Sequence, residues 1–291
     1  MKFKTCLVSL AYVFALHSVY ASSGIANTLN AETDEPLVSV SAAPSIHNMA
    51  PGCMPGQANT SNAYLAVKWY RDSAEKNAQY NQVFKLGMEK VLKRVKDEKL
   101  AANTWGVILD VDETVLDNTL YEKNSVLSCQ NYHRDSWYEF LDKKVSVATP
   151  GAMRFTCGIK NNGGIVALVT NRNGHYDKQI VKATVDNLNS AGICFDTVVF
   201  ADADSKAAQD KNAHFNAVVS GKYTHEMVVT NKLKAFKVLA YFGDNIQDFP
   251  HMYQKNTITQ DPNGDFYAKF GEEYFSLPNP TYGSWLGNKF K

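Results

Sequence analysis

The sequence predicts an α/β fold, in which a parallel, Rossmann-like sheet carries helices on both faces and a small inserted cap. Short runs that are apolar at every position end in polar residues, and segments with helical periodicity lie between them. Strands that are apolar on both sides are typical of a parallel sheet covered on both faces. The four runs are Trp105–Leu109, Ile165–Val169, Thr197–Phe200 and Val238–Phe242.

The stretches between these runs have the spacing of amphipathic helices. We expect helices over Gly151–Asn162, Tyr176–Ser190 and Ser205–Val219. Residues 119–148 interrupt the alternation after the first strand, and they are too many and too aromatic for a plain connection. We therefore predict a cap at about residues 119–148 within a core of residues 103–291. Residues 61–102 predict two helices, or one broken helix, packed on that core.

The N-terminal residues have the pattern of an export signal. Lys2 and Lys4 precede a mostly apolar stretch, and Ala21 follows at a position that signal peptidase reads, which predicts a signal peptide over residues 1–21. Residues 22–60 are rich in Ser, Ala, Asn, Pro and Gly, so we expect a poorly ordered leader. The mature protein is then periplasmic or secreted.

The cysteines fit an exported protein. The residue directly after the cleavage site is not a cysteine, so we expect no lipid or other membrane anchor in the mature chain. Four cysteines remain after cleavage, which permits two disulfides in three connectivities. They are Cys53, Cys129, Cys157 and Cys194, and we prefer a Cys157–Cys194 bridge.

The composition excludes several classes of function. Of the 291 residues, 45% are hydrophobic and 20% are charged, which argues against a disordered chain. The formal net charge is +1, so there is no electrostatic reason to expect a nucleic-acid polymer as a partner. After the N terminus, no apolar run reaches the roughly 20 residues that span a bilayer. We expect a small-molecule partner and leave a homodimer open.

Polar side chains follow the predicted strands, and the carboxyl ends of parallel strands meet at one edge of the sheet. Asp110 and Asp112 follow the first strand, Thr170 follows the second, and Asp244 and Asp248 follow the last. Two carboxylates at the end of a buried strand are costly unless a cation or a proton lies between them. Oxygen ligands from several loops suit Mg²⁺.

This set of residues could carry out phosphoryl transfer, in which positioning and charge neutralisation supply most of the catalysis. Asp110 would attack phosphorus and form an aspartyl-phosphate. Asp112 would protonate the departing alcohol and then take a proton from the attacking water. Thr170 and the backbone amides after Asp110 would hold the phosphate oxygens. Lys211 would neutralise the nucleophile and the phosphate together.

Three motifs resemble those of the haloacid-dehalogenase superfamily, and more closely the class C, four-aspartate bacterial acid phosphatases with their 5′-nucleotidase-like branch. They are Ile108–Asn118 with Asp110-Val111-Asp112-Glu113-Thr114, Val169-Thr170-Asn171-Arg172, and Gly243-Asp244-Asn245-Ile246-Gln247-Asp248-Phe249. A fourth tract, Leu277–Trp285, looks like the C-terminal signature of that subgroup. The resemblance runs from about Ser61 to Trp285.

The resemblance implies a Mg²⁺ site made by the Asp110 carboxylate, the Asp112 main-chain carbonyl and Asp244, with Asp248 helping to hold the metal. It identifies Asp110 with the nucleophile and Asp112 with the acid and base. Lys211 matches the phosphate-binding lysine. Because this chain has a histidine where the family often has arginine three residues later, Lys206 is the reserve assignment.

The same family stacks the ring of its substrate between aromatic side chains, and the matching residues here are Trp137 in the cap and Tyr282 near the C terminus. Stacking on aromatic rings tolerates different bases. Either ring could instead belong to the core of the cap. Asn118 could line the same pocket, and Asn171 accompanies Thr170 at the phosphate. Arg172 could contact phosphate or brace its loop.

The sequence therefore predicts a secreted, Mg²⁺-dependent acid phosphatase that hydrolyses phosphomonoesters, with nucleoside 5′-monophosphates as plausible substrates. One alternative is a phosphatase or phosphotransferase that acts on non-nucleotide esters. Another is a non-catalytic binding or storage protein on the same scaffold.

Overall fold

A five-stranded parallel sheet lies at the centre of the molecule. The computed structural model describes residues 62–204 and 210–289. Its main sheet has the order β5-β4-β1-β6-β7, and β2 pairs with β3 in a separate antiparallel ribbon. All four strand pairs in the main sheet are parallel. The strands are β1 (Trp105–Leu109), β2 (Leu116–Asp117), β3 (Val147–Ala148), β4 (Ile165–Asn173), β5 (Thr197–Ala201), β6 (Lys237–Gly243) and β7 (Tyr274–Ser276).

Helices flank the sheet, and most predicted stretches match them to within a few residues. They are α1 (Asn62–Asp72), α2 (Ala74–Asp97), α3 (Thr119–Leu127), α4 (Arg134–Asp142), α5 (Ala152–Asn161), α6 (Lys178–Ser190), α7 (Asn212–Ser220) and α8 (Gln254–Thr257). Among the described residues, the helix predicted over Ser205–Val219 begins only at Asn212, because the Asp210 carboxylate accepts from the Asn212 amide at 2.9 Å and ends the preceding loop there. The helical conformation is interrupted between α1 and α2 at Ser73, whose hydroxyl accepts a hydrogen bond from the Lys76 amide at 3.1 Å. Ser73 thus caps the second helix.

The core covers both faces of the sheet. On one face, Phe84 of α2 and Phe155 of α5 pack on Phe242 of β6 with ring centroids 5.8 and 4.5 Å from it. On the other face, Phe215 and Val218 of α7 pack among side chains of the central strands. The predicted α/β class, with helices on both sides of a parallel sheet, is confirmed.

The cap segment contributes α3, α4 and β3, and β3 pairs with β2, which lies just before the segment. Its own small core includes Tyr121, Phe140 and Leu141, and it packs against Ile180 of α6. Because α6 leaves the carboxyl end of β4, this contact places the cap beside the polar edge of the sheet.

In the main sheet, two strands differ from the sequence prediction by more than one residue, and the two-residue strands β2 and β3 of the ribbon were not predicted. β4 continues to Asn173 rather than ending at Val169, so Thr170 lies within the strand. Its pairing with β5 shifts register between Val169 and Asn173, which lets polar residues continue an otherwise apolar strand. β7 was not predicted because it has only three residues.

The Cys157–Cys194 disulfide is confirmed, and it ties α5 to the loop before β5. Cys129 is also disulfide-bonded. The predicted signal peptide and leader fall outside the described residues, as does the start of the predicted helix Ser205–Val219. Among the described residues, no helix is long and apolar enough to cross a membrane.

Candidate active site

The acidic side chains meet because their strands are neighbours in the sheet. Asp110 follows β1, and its amide donates to the Phe242 carbonyl of β6 at 2.9 Å. Asp244 comes directly after β6, and Asp248 ends the 3₁₀ turn Ile246–Asp248. A Cβ on Gly243 would lie 2.2 Å from the Asp248 Cβ, so only glycine lets this turn fold back onto the strand.

Three carboxylates form a compact group that could hold a cation. Asp110, Asp244 and Asp248 each offer an oxygen, and these oxygens lie within 4.8 Å of one another. Burial, and then the charge of Asp248, raise the pKa of Asp244 to about 7. Burial likewise raises the pKa of Asp110, although Lys211 opposes the shift. Because the group has only oxygen donors and excess negative charge, it fits a hard divalent cation.

Lys211 supplies a positive charge to this group. Its ammonium contacts Asp110 Oδ1 and donates to Asp248 Oδ1 at 2.7 Å. The side chain is buried at the start of α7. Burial alone would lower the pKa of Lys211, but the two carboxylates outweigh burial and raise it. The ammonium therefore stays charged. The reserve candidate, Lys206, lies outside the described residues.

Asp112 is held by a different set of donors. Arg172 donates to its carboxylate through Nε and Nη2, the latter at 2.7 Å from Oδ1. Asn118 Nδ2 donates to Oδ1 at 2.8 Å, and the Thr170 hydroxyl lies 3.4 Å from Oδ2. The structure thus places Arg172 against Asp112, a contact that neither of its two predicted roles included.

The remaining predicted residues lie in different surroundings. Asn118 is buried and also accepts from the Ser146 hydroxyl at 2.6 Å. Asn171 is exposed. Trp137 is half-buried and packs inside the cap, with its ring centroid 5.2 Å from Tyr121 and 5.8 Å from Phe140. Tyr282 is half-buried on the C-terminal tract.

Glu113 is a buried residue of the site to which sequence reasoning assigned no role. Its backbone adopts a left-handed conformation with φ of 53°, and its carboxylate accepts from the Tyr282 hydroxyl and from the Asn118 amide, the latter at 2.7 Å. The Tyr80 hydroxyl of α2 donates to its carbonyl oxygen. Burial, and then the nearby Asp112, raise the pKa of the Glu113 carboxyl well above its usual range. Its place beside the paired aspartates was the only signal in the sequence.

Two uncharged residues that sequence reasoning also missed hold Asp244. The Asn279 amide donates to Asp244 Oδ2 at 2.8 Å, and the Thr114 hydroxyl donates to Oδ1 at 3.1 Å. Asn279 belongs to the C-terminal tract, so this tract contacts the site through both Asn279 and Tyr282.

Comparison with known proteins agrees with this geometry. Residues 27–285 match the family model described as HAD superfamily, subfamily IIIB (acid phosphatase). The crystal structure of class C acid phosphatase from Bacillus anthracis with tungstate bound is similar, with 26% identity and a TM-score of 0.63, over 77% of this chain and 86% of that chain. A second structure of the class C acid phosphatase from Bacillus anthracis has 24% identity and a TM-score of 0.61 over the same shares.

The family match covers most of the chain, and the similar structures share its parallel sheet. Members of this family are phosphomonoester hydrolases that use a divalent metal, which agrees with the acidic group at the strand ends. The alternative of a non-catalytic binding or storage protein is therefore set aside. This chain belongs to the HAD superfamily subfamily IIIB acid phosphatases.

Proposed function

We propose that this acid phosphatase is an exported, Mg²⁺-dependent enzyme that hydrolyses nucleoside 5′-monophosphates and related small phosphomonoesters through an aspartyl-phosphate. The observation that carries the proposal is the position of Lys211. Its ammonium contacts both Asp110, which follows β1, and Asp248, which lies in the turn after the adjacent strand β6. A buried cation there would neutralise an attacking carboxylate and the phosphate that it attacks.

The first step transfers the phosphoryl group to the protein. A carboxylate oxygen of Asp110 attacks phosphorus, and the bond between phosphorus and the ester oxygen breaks. Protonated Asp112 gives its proton to the departing alkoxide oxygen, so that the alcohol leaves neutral. Lys211 stays beside Asp110 and offsets the negative charge that collects on the phosphoryl oxygens.

The second step releases inorganic phosphate. Asp112, now a carboxylate, takes a proton from a water molecule whose oxygen attacks phosphorus. The bond between phosphorus and Asp110 breaks, and the free aspartate returns. We assign Thr170 and Asn171 of β4 to the phosphate oxygens and Asn118 to the pocket of the substrate ring; Thr170 and Asn118 both contact Asp112.

Mg²⁺ would be held by the Asp110 carboxylate, the Asp112 main-chain carbonyl and Asp244, with Asp248 and Asn279 orienting the ligands. When bound, the ion would supply positive charge to the phosphoryl oxygens. The donor chemistry of Asp110, Asp244 and Asp248 supports a hard cation, because all of these donors are oxygen atoms.

Metal removal should silence the enzyme. We expect EDTA to stop phosphate release and Mg²⁺ to restore it. Because the pKa of Asp244 is raised to about 7 without metal, protons should compete with the ion, and the apparent Mg²⁺ affinity should fall as the pH is lowered from 8 to 6. Titration of chelator-treated enzyme with Mg²⁺ at both pH values measures this.

Ca²⁺ serves as the matched control in that titration, because it also prefers oxygen ligands but accepts larger and more flexible coordination. Hydrolysis that continues in excess chelator would contradict the metal assignment. A Mg²⁺ affinity that rises on acidification would contradict the role given to Asp244.

For the substrate ring, Tyr282 is the stronger of the two aromatic candidates. Its ring is half-buried and its hydroxyl is held by Glu113, next to the aspartate pair. Trp137 already packs against Tyr121 and Phe140, so its ring has less surface to offer. A substrate ring would then have only Tyr282 to stack on, instead of lying between two rings. This favours the second candidate function, which is hydrolysis of non-nucleotide esters.

Replacing the ring should separate these candidates. Stacking of one base contributes about 1–3 kcal/mol, so Tyr282→Ala should raise KM for AMP by about 5- to 150-fold. KM for methyl phosphate, which has no ring, should change much less. Steady-state kinetics with both substrates, and with Trp137→Ala as the paired variant, checks this. Equal effects on the two substrates would assign the Tyr282 ring to structure and favour non-nucleotide esters.

Export and domain limits complete the proposal. The predicted signal peptide at residues 1–21 and the Cys157–Cys194 disulfide support an oxidising compartment, since such bonds persist outside the cytosol. We further propose that residues 22–60 form a leader, residues 61–102 a helical segment, and residues 103–291 the phosphatase core with its cap at 119–148.

A further inference from the structure

The contact between Arg172 and Asp112 has a geometry that a simple surface ion pair lacks. Arg172 Nε lies 3.1 and 3.2 Å from the two oxygens of Asp112, and Nη2 lies 2.7 Å from Oδ1. Two nitrogens of one guanidinium therefore face one carboxylate. This forked arrangement fixes the plane of the carboxylate as well as its position.

Arg172 is itself held on the side away from Asp112. Its Nη1 donates to the hydroxyl of Thr184 in α6 at 3.0 Å, and its backbone amide donates to the hydroxyl of Thr170 at 3.1 Å. The Arg172 side chain is 1% exposed, whereas that of Asp112 is 17% exposed. Of the two, only Asp112 has surface that faces solvent and could meet a substrate.

We infer that Arg172 is a positioning residue, which aims the Asp112 carboxyl at the leaving-group oxygen, and that Thr184 holds Arg172 in place. This inference rests on the proposed role of Asp112 as proton donor. A lysine at position 172 would keep the charge but lose the fork, because an ammonium cannot face both carboxylate oxygens in one plane. Misplacement of a reacting group by about 1 Å can cost about 10²-fold in rate.

The dependence of the rate on the leaving group separates positioning from a merely structural role. An alkoxide needs a proton to depart, whereas 4-nitrophenolate is stable enough to leave without one. Arg172→Lys should therefore lower kcat/KM for methyl phosphate by about 10- to 100-fold. For 4-nitrophenyl phosphate, the loss should be only a few-fold.

Thr184→Val tests the same chain of contacts from outside the site. Valine has the shape of threonine but removes the acceptor for Arg172 Nη1. We therefore expect kcat/KM to fall more for methyl phosphate than for 4-nitrophenyl phosphate, by a smaller factor than in Arg172→Lys. Thr156→Val is the matched control, since Thr156 is equally buried in α5 and its hydroxyl donates to the Ala152 carbonyl and accepts from the Cys194 amide, and neither partner forms a hydrogen bond with Asp112 or Arg172. This control should show no leaving-group bias. Because Thr184 does not face the site, its variant keeps the test valid even if Arg172→Lys fails to fold.

Asp112→Asn separates this inference from the proposed function. A leaving-group bias in Asp112→Asn together with none in Arg172→Lys and Thr184→Val would overturn the inference alone. No bias in Asp112→Asn would remove the proton-donor role, and the inference with it. If Arg172→Lys instead weakened inhibition by inorganic phosphate and slowed both esters equally, Arg172 would be a phosphate-binding residue, and the inference would be wrong.

Discussion

Asp110→Asn is expected to abolish phosphate release, with a loss of at least about 10³-fold in kcat, because the neutral amide cannot attack phosphorus. Asparagine has the shape of aspartate, and Asp110 lies in a buried position where burial already disfavours its charge. The variant should therefore fold. Phosphate release from a phosphomonoester, measured beside the circular dichroism and melting temperature of each protein, checks both expectations.

A trapped intermediate makes this test specific to the nucleophile. Rapid acid quench with labelled substrate should leave labelled phosphate on the unaltered enzyme and none on Asp110→Asn. Asp186→Asn is the matched control, since Asp186 forms ion pairs with Lys144 and Lys182 at the surface, away from the acidic group. Turnover retained by Asp110→Asn would falsify the assignment of the nucleophile.

Lys211→Met should have the second largest effect and should lower both activity and stability. It leaves Asp110 and Asp248 buried without their cation, and removal of one partner from a buried ion pair costs about 3–5 kcal/mol. The cost should be smaller at pH 5 than at pH 8, because Asp110 and Asp244, whose pKa values are raised by burial, can take up a proton at acid pH and become neutral. Thermal melting of chelator-treated protein at both pH values measures this.

Lys182→Met is the matched control for this comparison. Lys182 also pairs with an aspartate, but its side chain is exposed, and such pairs contribute only about 0–1 kcal/mol. If Lys211→Met melted at the same temperature as Lys182→Met at pH 8, the buried ammonium would not be what stabilises the acidic group. If the destabilisation instead grew on acidification, the charge argument itself would be wrong.

The central fold could be predicted because its main strands have a recognisable apolar pattern in the sequence. β1 is apolar at every position and buried at every position, so its pattern has one physical explanation. β7 gave no such signal, since three residues carry no period. The extension of β4 was hidden because Thr170 to Asn173 are polar, and their strand geometry depends on pairing across a register shift.

Parts of the site could be predicted by the same logic. Asp110 and Asp244 follow adjacent strands, so topology alone brings them together, while their chemical roles stay predictions. The contacts made by Glu113, Asn279 and Arg172 could not be read from the sequence, because they depend on side-chain directions and on a tract more than 160 residues away, as with Tyr282 and Glu113. Conversely, the family resemblance assigned Trp137 to the substrate ring, although that side chain already packs against other aromatic side chains of the cap.

Two of the contacts on Glu113 have a consequence for biosynthesis. Tyr80 reaches it from an early helix and Tyr282 from a late segment, while Asn279 holds Asp244. The turn that contains Glu113 can thus acquire its final neighbours only after the ribosome has added residue 282. A nascent polypeptide should stay inert toward cellular phosphate esters until translation has passed that point, even though every residue proposed to do chemistry has been made by residue 248.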